Sequence, residues 1–220
     1  MKSSMLTSFM SLFLMAAALP MNDSPQTRCN SESTVATFDD RQPLPLVSQV
    51  NPVNLYRGLR YNSFNIINPG VPALLPGLSI PPPAGILPQS GNIAIGNSIF
   101  GDVLAGEPAF YAATIPSFDL EELYFGCSLA TVTSLATVPI PCTIAFTGVK
   151  KNVDAGGGSR TTITFQFNPE NPVISHLTRA GFKGPAWTDL YKVEVAVAGP
   201  IPAALSVLFV DSIKYKNCTM

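Results

Sequence analysis

The sequence predicts an all-β domain, a jelly-roll β-sandwich of about nine strands carrying one long proline-rich loop. Three observations lead there. Apolar and polar side chains alternate in several separate segments, turn residues punctuate the gaps between them, and no window sustains a helical period.

The clearest strand is residues 161–167, where Ile163, Phe165 and Phe167 share one face and Thr162, Thr164 and Gln166 the other. Cys142, Ile144 and Phe146 oppose Thr143, Ala145 and Thr147 in the same way. Tyr191, Val193, Val195 and Val197 oppose Lys192 and Glu194. In the last strand Leu205, Val207, Phe209, Asp211, Ile213 and Tyr215 oppose Ser206, Ser212 and Lys214. Between Phe118 and Cys127 the apolar phase slips, from Phe118 and Leu120 to Leu123, Phe125 and Cys127, which places a bulge at Glu121-Glu122. Weaker alternation marks residues 35–40, 55–66, 92–100 and 108–115. Turns fall at 154–158, Asn168-Pro169, Gly184-Pro185 and Gly199-Pro200. Residues 68–89 hold seven prolines, too many missing ladder donors for a strand, and read as an extended insertion on the domain surface.

Residues 1–18 combine a cation at Lys2, an apolar run from Leu6, and small residues at Ala16, Ala17 and Ala18. That is the pattern of a secretory signal peptide, leaving 19–220 as a single exported domain. No later segment has 18 uninterrupted apolar residues, so no membrane span is expected in the mature chain. Removing Lys2 from 13 basic residues leaves 12 against 14 acidic ones, a balance that argues against nucleic acid as a partner. Four cysteines in an exported chain imply two disulfides. Cys127 and Cys142 lie inward on neighbouring strands and form one expected bridge; Cys29 and Cys218 then tie the first strand to the last. Sequons at Asn22 and Asn217 mark the chain as a candidate glycoprotein.

Reactive constellations are sparse. His176 is the only histidine, no G-x-S-x-G elbow is present, and the cysteines are committed to bridges. Gly156-Gly157-Gly158-Ser159-Arg160 lacks the lysine of a phosphate cradle. Acids available for a glycosidase-type pair are Asp119, Glu121, Glu122, Asp189 and Glu194. Asp211 shares a face with Phe209 and Ile213, so its carboxylate points inward and must be paired, protonated or bound to a cation. Asp40, with the parity of Phe38, invites the same reasoning. Together with Asp39 these acids are candidates for a structural calcium; ion pairs with Arg41 or Arg57, or bonds from turn amides, are the alternatives. Straight register from a Cys29–Cys218 bridge sets Asp40 opposite Val207, so bringing it to Asp211 requires a slip. Trp187, Tyr56 and Tyr61 are the rings considered for a ligand platform, although the parity of Trp187 with Tyr191 and Val193 favours the core.

Several segments carry a resemblance: Thr37-Phe38-Asp39-Asp40, Tyr56-Arg57-Gly58-Leu59-Arg60-Tyr61-Asn62-Ser63-Phe64, Phe118-Asp119-Leu120 leading to Tyr124-Phe125-Gly126-Cys127, Val138-Pro139-Ile140-Pro141-Cys142-Thr143-Ile144, and Phe209-Val210-Asp211-Ser212-Ile213. They resemble a group of uncharacterised secreted fungal proteins, with a layout similar to jelly-roll carbohydrate-binding modules. The resemblance implies wall binding or an effector-like contact with an extracellular host protein. It also implies a calcium held by Asp39 or Asp40 together with Asp211, although Asp-Ser stands where such modules often show paired acids. The expectation is a secreted, non-catalytic protein binding polysaccharide, a cell-surface glycan or a host target. The alternatives are a jelly-roll lyase or glycosidase and a structural wall protein.

Overall fold

The computed structural model describes residues 28–41, 52–67, 85–91, 93–97, 108–131, 134–150, 159–198 and 206–219. The expected signal peptide, the Asn22 sequon, most of the proline-rich insertion and the expected turns at 154–158 and 199–200 lie outside these residues. The described chain is nearly all β. Its strands are β1 (Arg28–Cys29), β2 (Thr34–Ala36), β3 (Pro52–Tyr56), β4 (Leu59–Ile67), β5 (Ile86–Leu87), β6 (Ala94–Asn97), β7 (Ala109–Ala112), β8 (Ser117–Thr131), β9 (Ser134–Pro139), β10 (Cys142–Lys150), β11 (Arg160–Phe167), β12 (Ser175–His176), β13 (Thr178–Gly181), β14 (Leu190–Ala198) and β15 (Ser206–Thr219). Among the described residues, a 3-10 turn occupies Pro185–Trp187.

Fifteen strands therefore replace the expected nine or so. The weak signal over 55–66 is two strands, because Arg57 and Gly58 both take positive φ and fold β3 back onto β4. Strands of two to four residues, such as β1, β5, β12 and β13, are too short to show alternation. None of the described helical residues forms a segment long and apolar enough to cross a membrane.

Thirteen strands form one sheet, in the order β11-β10-β14-β7-β4-β6-β15-β8-β13, with β1 and β2 on β15, β3 on β4 and β9 on β8. The path also closes on itself. Leu190 of β14 pairs with Phe118 of β8, so β14, β7, β4, β6, β15 and β8 make a ring around the core. Polar bonds lock the closure: Ser117 Oγ donates to Asp189 Oδ1 at 2.5 Å, and the Asp189 amide donates to Asp119 Oδ1 at 2.8 Å. Outside the sheet, β5 and β12 pair in parallel.

The slip in β8 falls where the alternation breaks. Phe118 and Leu120 are buried, Glu121 and Glu122 are half-exposed, and Leu123, Phe125 and Cys127 are buried again. Register against β15 shifts between Asp211 and Lys214 and again before Tyr215, with Ser212 at φ 49°. One expectation for β15 fails. Val207 to Ile213 are all buried, Ser212 included, so this strand is covered on both faces and does not alternate. Its four consecutive apolar residues, Val207-Leu208-Phe209-Val210, are the pattern such a strand requires. The other edge of β15 is covered in succession by β6, β2 and β1. Cys29 opposes Cys218 while Ala36 opposes Ile213, so two extra residues lie on the N-terminal side between those pairs. That slip brings Phe38 and its neighbours to the level of Asp211.

Aromatic side chains fill the interior in two chains of contacts. Tyr56, Phe38, Tyr61, Phe110, Phe118 and Tyr215 run through the ring. Phe125, Phe146, Phe165, Phe182 and Trp187 pack between β8, β10, β11 and the segment after β13. The two disulfides are Cys29–Cys218 and Cys127–Cys142. Because β10 pairs with β11 and β14 and not with β8, the second bridge joins strands that share no ladder. Both suit an oxidising compartment. The Asn217 sequon is a poor acceptor site: its amide nitrogen lies 3.4 Å from Thr34 Oγ1 and its carbonyl oxygen is buried within the strand.

The bridges close loops of very different length, with sequence separations of 189 and 15. On chain entropy, removing Cys29–Cys218 costs about 5 kcal/mol and removing Cys127–Cys142 about 3 kcal/mol. Urea unfolding of the two double Cys→Ala variants is expected to show that order.

Candidate functional site

The outer face of β4, β7, β14, β10 and β11 carries side chains opposite to those in the core. Register defines one row across it: Leu55 faces Arg60, Arg60 faces Tyr111, Tyr111 faces Lys192, Lys192 faces Val149, and Val149 faces Arg160. Tyr61, Phe110, Val193 and Gly148 form the matching row inside. A Cβ on Gly148 would meet the Trp187 and Leu190 side chains at 3.1 Å, a contact tight enough that those side chains would have to give way.

Tyr191 departs from the alternation expected of it. Val149 pairs with Lys192 but Lys150 pairs with Leu190, which leaves Tyr191 as the extra residue of a β-bulge, two positions after Asp189 at φ 53°. The bulge turns Leu190 into the core and Tyr191 outward. Tyr191 is 38% exposed, and its ring centroid lies 6.3 Å from that of half-buried Tyr111, tilted by 40°. The sign of this slip is visible in the sequence: Leu190 is an apolar residue in the polar phase of Lys192 and Glu194, just as Leu123 breaks the phase of Leu120. Tyr111 and Arg60 lay in the weakly alternating segments, which carry no signal of a site.

The face is rich in charge. Glu194 accepts from Lys192 Nζ at 3.0 Å and from Arg160, so one carboxylate holds two cations. Arg60 is exposed and has no carboxylate partner among the described residues. Lys150 Nζ donates to the Pro185 carbonyl at 2.7 Å.

The three rings considered from the sequence alone are in the wrong place for a platform. Trp187 is 4% exposed, Tyr56 4% and Tyr61 3%, so all three are core residues. Trp187 reaches the core from a 3-10 turn and not, as its parity implied, from a strand. Tyr61 buries its hydroxyl without a partner among the described residues, and burial holds it well above its ordinary pKa. Tyr56 stacks on Phe38 at 4.9 Å, while the Arg41 and Arg57 guanidiniums approach its ring at 4.9 and 5.4 Å. Its hydroxyl donates to Asp40 Oδ1 at 2.7 Å and accepts from Arg57 Nε at 3.1 Å.

The three candidate calcium ligands do not assemble either. Asp211 is fully buried, and its oxygens are occupied by donors: the Gln89 amide at 2.8 Å, the Ser90 amide at 2.9 Å, the Ser212 amide at 2.6 Å and the Ser90 hydroxyl at 3.3 Å. Of the alternatives open in the sequence, the turn amides answer this charge. The Asp40 carboxylate is engaged by Tyr56. Asp39 packs against Gly91, whose φ of 48° and lack of a side chain make room for it. An oxygen already facing two N–H donors does not fit a cation, so these residues are a poor match to the calcium site that the resemblance implied. Among the described residues one trio of metal-ligand types lies together, Cys29, Asp119 and Cys218, and its two sulfurs form a disulfide.

The acids considered for catalysis hold the fold together. Glu122 binds Arg179, and Asp119 and Asp189 close the ring. Burial raises the Glu121 carboxyl, but the Ser33 hydroxyl, Lys216 and Lys214 outweigh it and hold the group below its ordinary range. His176 is exposed, with Nδ1 3.6 Å from Glu170.

No family model matches the chain, and no curated protein does. Among solved structures, a DUF4465 family protein from Bacteroides caccae is similar at 10% identity with a TM-score of 0.48, over 84% of this chain and 99% of that one. The CBM22-1–GH10 modules of the Clostridium thermocellum N-terminal endo-1,4-beta-D-xylanase 10B, complexed with xylohexaose, are similar at 9% identity with a TM-score of 0.39. That match covers 84% of this chain and 28% of the xylanase chain. At these values neither likeness bears on chemistry.

Asp211 makes the stability depend on pH in a defined direction. Burial raises its pKa from 3.8 to about 6, against the lowering effect of the Ser90, Ser212 and Gln89 amides, with the Asp39 charge adding to the rise. The native state therefore takes up this proton before the unfolded chain does. Its contribution is complete below the unfolded value and is lost as pH rises through 6. Between pH 7 and pH 5 this group is expected to add about 1 kcal/mol of stability, read from urea midpoints, and Asp211→Asn is expected to abolish that gain.

Proposed function

We propose that the protein is a secreted, non-catalytic jelly-roll-type module that binds polysaccharide on the outer face of β7 and β14. The supporting observation is the Tyr111–Tyr191 pair. A bulge in β14 sets a large ring outward beside a second ring on the adjacent strand, where regular pairing would have buried it. Two tilted rings amid charged neighbours match the amphipathic surface of a pyranose chain, whose C–H faces lie on π-systems while its hydroxyls reach polar groups. Binding without bond cleavage is favoured because the acids described above are engaged in structural bonds. Asp211, whose carboxyl is raised, is buried beneath the Gln89-Ser90 turn.

Retention on insoluble chitin, cellulose and β-glucan, with soluble polymers followed by affinity electrophoresis, tests this reading. Tyr191→Ala and Tyr111→Ala are each expected to weaken binding about tenfold, and Tyr191→Ala is expected to leave the unfolding free energy within about 0.5 kcal/mol. Absence of binding to every glycan tried would remove the proposal, and release of reducing ends would replace binding by catalysis.

A further inference from the structure

Lying on the same face, the row through Tyr111 has an order of its own: Arg60 on β4, Tyr111 on β7, Lys192 on β14, Val149 on β10, Arg160 on β11. Cations and uncharged side chains alternate from strand to strand. With neighbouring strands about 4.8 Å apart, the cations recur at about 10 Å. This positive stripe belongs to a chain whose formal net charge is −1. It has one acidic residue in its midst, Glu194, which is bonded to both Lys192 and Arg160. Arg60, at the other side of Tyr111, has no such carboxylate among the described residues.

We infer that the ligand of this face is an acidic polysaccharide bearing carboxylates, laid across the strands along Arg60, Tyr111, Lys192 and Arg160; the inference rests on the glycan-binding reading above. Tyr111 and Tyr191 supply the stacking surface, and the flanking cations supply the charge. A linear uronate chain whose successive sugars alternate in facing presents every second carboxylate to one side. A row of cations on every second strand is complementary to that repeat. The guanidinium of Arg60 offers a planar fork that accommodates a carboxylate through two parallel N–H donors. Glu194 has a double effect. It holds Lys192 and Arg160 in the row, and it neutralises part of their charge, which limits affinity for a polyanion.

Affinity electrophoresis and calorimetry with polygalacturonate, its fully methyl-esterified form and dextran sulfate distinguish the possibilities. The expected result is tighter binding to polygalacturonate than to the ester, weakening as salt rises. Arg60→Gln should weaken polygalacturonate binding about tenfold, the effect of losing a charge-assisted pair of hydrogen bonds. Glu194→Gln should tighten it, a gain that a merely structural role would not produce. Arg179→Gln, which removes the same charge on β13, should change nothing. Equal binding of polygalacturonate and its ester, or preference for the ester, overturns the acidic assignment and leaves glycan binding standing. Dextran sulfate bound as tightly as polygalacturonate overturns the assignment to carboxylates. Failure to bind any of these polymers or the neutral glycans removes both readings together.

Discussion

The long antiparallel ladder between β8 and β15 is the constraint on which the rest of the fold depends. Each of these strands is shared. β15 carries β8 along one edge and β6, β2 and β1 along the other, while β8 also pairs with β9, β13 and, through Phe118, β14. Both disulfides have one end in this ladder, Cys218 on β15 and Cys127 on β8. A strand gripped on both edges and both faces cannot alternate, which is why Val207 to Val210 are uniformly apolar.

A ladder so enclosed must answer any charge placed in it. Asp211 is such a charge, and it is met by three backbone amides and a hydroxyl. Two of those amides belong to Gln89 and Ser90, so the carboxylate pins the chain at the end of the proline-rich segment. The charge costs burial energy, and for that reason its pKa is raised.

Bulges give the other half of the design. The slip in β8 lets buried residues keep facing the core on both sides of Glu121-Glu122, and the slip in β14 exchanges Leu190 for Tyr191 on the outer face. A bulge is the means by which a strand can re-aim one side chain without altering the rest of its ladder. The candidate binding face arises from the second of these, and its charges arise from register alone. Arg60, Tyr111, Lys192 and Arg160 are scattered over a hundred residues of sequence and share a row because five strands are in step.

By itself the sequence determined the β class, the inward course of Asp211 and the bulge at Glu121-Glu122, because each is a local matter of side-chain period. The cysteines belong here in part: parity and position favoured Cys127 with Cys142 and Cys29 with Cys218 among three possible pairings, and both bridges form, although the first joins strands that share no ladder. Only the tertiary structure decided that Tyr56, Tyr61 and Trp187 are core, that Asp211 is met by turn amides and Asp40 by Tyr56, and that Tyr111 and Tyr191 stand together outside. Those outcomes depend on which strands become neighbours and in what register. Strand neighbours are chosen by long-range pairing, which a two-residue period within a single segment does not encode.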